Sequence, residues 1–355
     1  LQECILFEQI KEKVVKCKAC RHYCVIPNGS TGLCGVRYNN EGKLYLLVYG
    51  KTASFNVDPV EKKPLFHFLP GAKVTSIGTL GCNFHCLFCQ NWQISQPPRE
   101  IKEQEKNPEK QLEKINKTID SMSQDLSPAD IVSFTAENKL PAISYTYNEP
   151  AIFFEYAFDT IMLGKKQGIK SIFVSNGYES IEAIDLLEKN LDAINIDLKS
   201  FNEKFYKEIC GAKLENVLEG IKYAFKKNIW IEITTLVIPK HNDSKEELKS
   251  IAEFIASIDK NIPWHITAFF PEYKMLDVDS TSREKLFEAY NIGKEAGLNY
   301  VYVGNILSEE KENTYCPKCN SLLVKRIYYD IEVKHLDLKT GRCKECNEKI
   351  PGVWV

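Results

Sequence analysis

Gly81-Cys82-Asn83-Phe84-His85-Cys86-Leu87-Phe88-Cys89 follows directly on the apolar, β-branched run Val74 to Leu80, and its cysteines are separated by three and then two residues. Cysteine thiolates at such close spacing bind metals. In a helix, Cys82 and Cys89 would stand about 10 Å apart along the axis, too far to grip one compact centre. The stretch therefore reads as a loop wrapped around its metal. An iron–sulfur cubane normally takes four cysteines, so three thiolates leave one iron open to a small molecule. The plainer reading of three cysteines alone is a zinc loop or a set of reduced, buried thiols.

Outward from this loop, short β-branched runs alternate with longer amphipathic stretches, the pattern of βα units around a parallel sheet or barrel. The strand candidates are Val74–Leu80, Ala142–Tyr147, Ser171–Ser175, Ala193–Leu198, Trp230–Val237 and Ile262–Phe269, with Tyr300–Val303 as a seventh. In such architectures ligands collect at the carboxyl edge of the sheet. Polar residues stand at those ends: Glu149 in Tyr145-Thr-Tyr-Asn-Glu-Pro150, then Ser175-Asn176-Gly177, then Asp197-Leu-Lys199-Ser-Phe-Asn202; His265 lies within the candidate strand Ile262–Phe269. Pro150 suits the first position of a helix. Asp197 and Lys199 alternate, so as strand residues they face one side. Their plain alternative is a surface salt pair, and that of His265 a core histidine.

Two further cysteine groups flank this core. Residues 1–72 carry Cys17, Cys20, Cys24 and Cys34, four thiols for zinc or for an auxiliary iron–sulfur cluster. Residues 309–355 carry Cys316-Pro-Lys-Cys319 and Cys343-Lys-Glu-Cys346, paired knuckles that close a four-sulfur site for zinc or a rubredoxin-like iron. A ribbon this small needs its metal to fold. The expected domains are thus 1–72, 73–308 and 309–355. Cys4 and Cys210 stand alone and read as inert thiols, and His67 as a structural histidine. The polar run from Gln96 to Pro128 reads as a solvated insertion, with a partner-binding helix as the alternative.

Composition limits the function classes. With 355 residues, 44% of them hydrophobic, the chain can bury a substantial core. A formal net charge of -2 gives no global support for polyanion binding. No apolar run reaches the ~20 residues that cross a bilayer, and no export signal is visible. Eleven of thirteen cysteines fall in clusters with ligand spacing, which suits metals in a reducing cytoplasm.

The C-x3-C-x2-C spacing, with Phe88 before the last cysteine, resembles the signature of radical S-adenosylmethionine enzymes. There the cofactor's amino and carboxylate groups chelate the open iron, and an electron from the reduced [4Fe-4S] cluster releases a 5′-deoxyadenosyl radical. The Glu149 turn resembles the one that holds the cofactor's ammonium group, with Tyr147 and Asn148 in place of its usual paired glycines. Asp197 to Asn202 is similar to the D-x-K-x-x-N motif of glycyl-radical-enzyme activases, and His265 to a late-strand histidine of the same enzymes.

Over its whole length the chain resembles the radical enzyme of the AmmeMemoRadiSam system, related to pyruvate formate-lyase activating enzymes. The marks are Pro59-Val-Glu-Lys-Lys-Pro-Leu-Phe-His67, Gly81 to Trp92, Tyr145 to Pro150 and Ile350-Pro-Gly-Val-Trp354. The resemblance implies an α/β fold with a partial (β/α)6 TIM-like barrel between a Cys-rich N-terminal domain and a zinc-ribbon-like C-terminal one. It implies a [4Fe-4S] cluster on Cys82, Cys86 and Cys89, and S-adenosylmethionine against Phe88, Glu149, Ser175, Asn176, Asp197, Lys199 and His265. The implied partners are an unidentified small-molecule or peptide substrate, an electron donor such as ferredoxin or flavodoxin, and AMMECR-like and Memo-like proteins. Activation of a glycyl radical enzyme is the alternative within this class. In another class stands a nucleic-acid-binding or RNA-modifying ribbon protein, with Lys318, Lys325, Arg326 and Lys344 as its basic residues.

Overall fold

The computed structural model describes residues 1–308 and 310–355. Residue 309, the expected start of the C-terminal block, lies outside the described residues. The centre is one eight-stranded mixed sheet: β1 (Ser54–Pro59), β2 (Lys73–Gly78), β3 (Ala142–Tyr145), β4 (Lys170–Ser175), β5 (Ala193–Asp197), β6 (Trp230–Val237), β7 (Trp264–Ala268) and β8 (Val301–Gly304). The strands lie in chain order. From β2 to β8 every neighbour is parallel, and β1 closes one edge antiparallel to β2. Helices cover the parallel strands, so β3 is buried at all four positions and reads as a continuous run.

The connecting helices start where the sequence supplies caps. Ser127, Ser180, Ser244 and Ser282 each accept a hydrogen bond from the amide three residues on. The helix Leu214–Lys226 buries Leu214, Val217, Ile221 and Ala224, the three- and four-residue spacing of one apolar face.

Four sequence expectations change. The sheet has seven parallel strands where the resemblance implied six, the seventh candidate forming as Val301–Gly304 beside β7. Ser54–Pro59, expected within the N-terminal block, belongs to the central sheet; its polar, half-exposed residues are those of an edge strand, ending on a proline. Strand β5 ends at Asp197, so Lys199 lies beyond the pleat. The polar insertion is not merely solvated. It forms two helices, Pro97–Gln104 and Pro108–Met122, the second burying Ile115 and Ile119. Arg99 on the first hydrogen-bonds His85 and the Asn83 carbonyl, while Lys102 bonds the Thr31 carbonyl. This helix braces the central cysteine loop against the N-terminal one.

The N-terminal residues form two small antiparallel sheets, one of which contains Arg37–Asn40 and the other Val14–Cys17. Buried Arg37 ties this block to the core through an ion pair with buried Glu155. At the other end, Leu322–Ile327 and Asp330–Val333 make a hairpin with Thr314–Tyr315. The terminal segment returns to the core: Val353 exchanges backbone hydrogen bonds with His67 and Leu69, and Trp354 packs 5.2 Å from the His67 ring. Two of the sequence marks furthest apart, Pro59 to His67 and Ile350 to Trp354, thus meet in space.

Candidate active site

At the carboxyl edge of the sheet lies a cavity of about 770 Å³, within the range of small-molecule sites. Its wall includes Cys82, Cys86 and Cys89 together with Phe88, Glu149, Ser175, Asn176, Asp197, Lys199 and His265. Every residue that the sequence proposed for the central cluster and its cofactor therefore faces one space.

The cysteine loop is fixed by its neighbours on both sides. Gly81 adopts φ +93°, and a Cβ there would lie 2.8 Å from the Cys34 carbonyl oxygen, so the left-handed turn and the close approach both require glycine. The His85 and Leu87 amides donate to the carbonyls of Cys210 and Ile209 in the π-turn Tyr206–Cys210. The Phe84 amide points at the Cys82 sulfur at 3.4 Å, and Ser95 Oγ lies 3.1 Å from that of Cys89. Burial pushes the Cys82 thiol well above its ordinary pKa. A hydrogen bond with buried Cys210 holds that of Cys86 below it. The lone Cys210 is thus the immediate neighbour of a candidate ligand.

A single tetrahedral ion at about 2.3 Å from each sulfur needs thiols about 3.8 Å apart. Among the described residues, Cys82, Cys86 and Cys89 do not gather within 4.8 Å of one another. Three wider-spaced thiols on the wall of a roomy cavity fit a polynuclear cluster with an open iron better than one ion.

Glu149 caps the turn Pro150–Phe153 and is fully buried. Its carboxylate accepts from the Ala151 amide, from Ser175 Oγ at 3.0 Å and from the Asn176 amide at 2.8 Å. Asn176 in turn donates to Asn83 Oδ1 at 2.8 Å, while the buried Asn83 Nδ2 has no hydrogen-bond partner. Burial, reinforced by the neighbouring Glu179, pushes the Glu149 carboxyl well above the usual range. A cation entering here meets a carboxyl group already oriented by three donors. Tyr147, in place of a glycine, still takes the left-handed conformation at φ 71°. It is held there by its hydroxyl on Asp58 and by Asn91, which bonds its carbonyl.

Lys199 pairs with Asp197 at 2.7 Å and stands 5.8 Å from the Phe88 ring. Burial disfavours the ammonium, but Asp197 and the Cys86 sulfur outweigh it and hold its pKa well above the ordinary lysine value. His265 donates through Nε2 to Glu232 at 2.6 Å. Glu232, fully buried in the middle of β6, also accepts from the Phe66 and His67 amides. Burial raises its carboxyl, yet the hydrogen bond from His265 and those amides leave it below the usual range. The acid inside Trp230-Ile-Glu-Ile-Thr was the available signal, since a charged residue in an apolar strand is buried only with partners. His67 is structural: Nδ1 donates to the Pro351 carbonyl and Nε2 accepts from Tyr302.

In the C-terminal block, the sulfurs of Cys316, Cys319, Cys343 and Cys346 all lie within 4.8 Å of one another. Cys316 and Cys346 are 3.5 Å apart, and Cys319 and Cys343 3.7 Å, the edge expected for one tetrahedral ion. Of the basic residues counted toward a nucleic-acid surface, Arg326 is wholly buried, bonded to the carbonyls of Phe66 and Glu312. It cannot reach a phosphate, and the basic patch loses its only arginine.

The chain belongs to the radical SAM superfamily, whose family model matches residues 76–255. It is 41% identical over 352 residues to an uncharacterized protein of Methanocaldococcus jannaschii, covering 99% of each chain. It is 25% identical over 161 residues to the pyruvate formate-lyase 1-activating enzyme of Escherichia coli strain K12, covering 42% of this chain and 65% of that one. A solved domain of a pyruvate-formate lyase-activating enzyme from Bacteroides vulgatus aligns with TM-score 0.40 and 23% identity, over 46% of this chain and 98% of that domain. No helix among the described residues is long and apolar enough to cross a membrane.

Proposed function

We propose that the chain is a radical enzyme in which Cys82, Cys86 and Cys89 hold a [4Fe-4S] cluster and the adjoining cavity takes S-adenosylmethionine. The convergence of three widely spaced thiols with Glu149, Asp197 and Lys199 on one cavity carries this reading. When bound and reduced, the cluster supplies the electron that cleaves the cofactor and releases the 5′-deoxyadenosyl radical. The protein's part is to bind, orient and shield. Glu149, with Ser175 and Asn176, receives the cofactor's ammonium group; Asp197 and Lys199 bind its polar groups; Phe88 and His265 shape the wall.

Glu149→Gln tests the assignment, because it removes the carboxyl group's capacity to ionise against an ammonium and keeps the shape. S-adenosylmethionine should bind about 10–100-fold more weakly by calorimetry on anaerobically reconstituted protein, while the cluster's iron is retained, as loss of a charge-assisted hydrogen bond implies. Equal affinity with full iron content would remove Glu149 from the cofactor site.

The cysteine-bearing blocks on either side of the central sheet supply a reason for a dedicated substrate. Tyr328 and Tyr329, from the C-terminal hairpin, line the cavity together with Ile306 and Leu307. A covered mouth excludes water and competing reactions from a radical. The reading includes a small-molecule or peptide substrate, zinc or rubredoxin-type iron in the C-terminal block, and a ferredoxin or flavodoxin as donor. It also includes a cytoplasmic setting and membership of the AmmeMemoRadiSam system with its AMMECR-like and Memo-like partners.

Similarity to an activating enzyme favours a second reading, activation of a glycyl radical enzyme. The two separate by electron paramagnetic resonance. The leading reading expects 5′-deoxyadenosine and no persistent backbone-centred doublet on a co-encoded partner protein. Such a doublet would establish the activase instead.

A further inference from the structure

The radical site makes no use of Cys17, Cys20, Cys24 and Cys34, yet these four cysteines stand against it. All four thiols line one small void, shared with His22 and Asn83. Three of the residues are buried and Cys24 is half-buried. The two four-cysteine groups of this chain differ in spacing. The C-terminal sulfurs gather within 4.8 Å, as a single ion requires; among the described residues the N-terminal ones form no such group. In this they match Cys82, Cys86 and Cys89. Thiols that ring a common void at wider separation suit a polynuclear centre in which each thiolate holds its own iron.

Arg37 lines the void, and Lys102 is anchored on the carbonyl of Thr31 beside it. Arg37 is already paired with buried Glu155, which leaves the Lys102 ammonium as the cation beside the four thiols.

We infer that Cys17, Cys20, Cys24 and Cys34 hold a second, cubane-type iron–sulfur cluster, packed against the loop that carries the first. The contact is direct. Gly81, which precedes Cys82, has no room for a Cβ against the Cys34 carbonyl. His22, between Cys20 and Cys24, donates through Nε2 to the Asn83 carbonyl at 3.0 Å. Asn83 lines the void, and its Oδ1 lies 3.7 Å from the Cys82 sulfur. The inference rests on the radical-enzyme reading only for the nature of this neighbour.

The test is the acid-labile sulfide, iron and zinc content of full-length protein reconstituted anaerobically with all three supplied, checked by Mössbauer spectroscopy. Wild type should hold about eight sulfides, and the Cys82→Ser/Cys86→Ser/Cys89→Ser variant about four. A Cys17→Ser/Cys20→Ser variant provides the reciprocal count, about four, should the triple variant fail to fold. Wild type with about four sulfides and two zinc ions, all sulfide lost from the triple variant and none from Cys17→Ser/Cys20→Ser, would overturn the inference. About four sulfides in wild type that survive in the triple variant would uphold it and reject the central cluster instead.

Discussion

Cys82→Ser, Cys86→Ser and Cys89→Ser are each expected to lower reductive cleavage of S-adenosylmethionine by at least ~10³-fold, a loss of about 4 kcal/mol of transition-state stabilisation. The size of the effect follows from ligand count. Three thiolates already leave one iron without protein, and a serine hydroxyl is neither deprotonated at neutral pH nor soft enough to replace a fourth bond partner. No other described thiol faces the cavity to take over: Cys210 touches Cys86 but is absent from the cavity wall. Cys210→Ser therefore serves as the control and should keep the central cluster's iron. Iron content, visible absorption and 5′-deoxyadenosine yield, measured side by side, separate loss of the cluster from loss of catalysis. Cleavage at the wild-type rate in any of the three ligand variants would remove the loop from the chemistry.

A double Cys316→Ser/Cys343→Ser substitution should release the C-terminal metal and unfold the block that surrounds it. Binding of structural zinc contributes about 10–16 kcal/mol in small ribbons, and this block has little else of its own. Its buried cluster is small and leans on Phe66, Tyr300 and Tyr302 of the core. Loss of the ribbon would free Trp354 from His67 and withdraw Tyr328 and Tyr329 from the cavity wall. The expected result is one fewer metal ion per chain, a shift of tryptophan emission to longer wavelength and protease cleavage beyond residue 310, with the central iron retained. A variant that keeps native emission and protease resistance without metal would show that the block folds on packing alone.

The cysteine loop was legible because metal ligands betray themselves by local spacing, and six parallel strands because burial on both faces makes each an unbroken apolar run. Glu149, Ser175, Asn176, Asp197 and Lys199 were legible for a related reason: each closes or follows a strand, and parallel topology brings those ends to one edge; His265 lies near the start of β7 and Phe88 on the cysteine loop. Ser54–Pro59 escaped because an antiparallel edge strand is half-exposed and polar, indistinguishable in sequence from a loop. Arg99 and Lys102 looked solvated since their carbonyl and imidazole partners lie in segments distant along the chain. Arg326 looked like surface charge for the same reason. Cys210 carried no local signal at all, as its contact with Cys86 is made by a π-turn that no spacing rule predicts.

The central claim concerns an open iron beside a cavity that orients S-adenosylmethionine. It is tested most directly by incubating anaerobically reconstituted, dithionite-reduced wild-type protein with S-adenosylmethionine and measuring 5′-deoxyadenosine. The account predicts that this product forms with the loaded, reduced protein and is absent when the reductant is left out. A fully loaded, fully reduced cluster that leaves S-adenosylmethionine intact, both alone and with extract of the source cell, would contradict it.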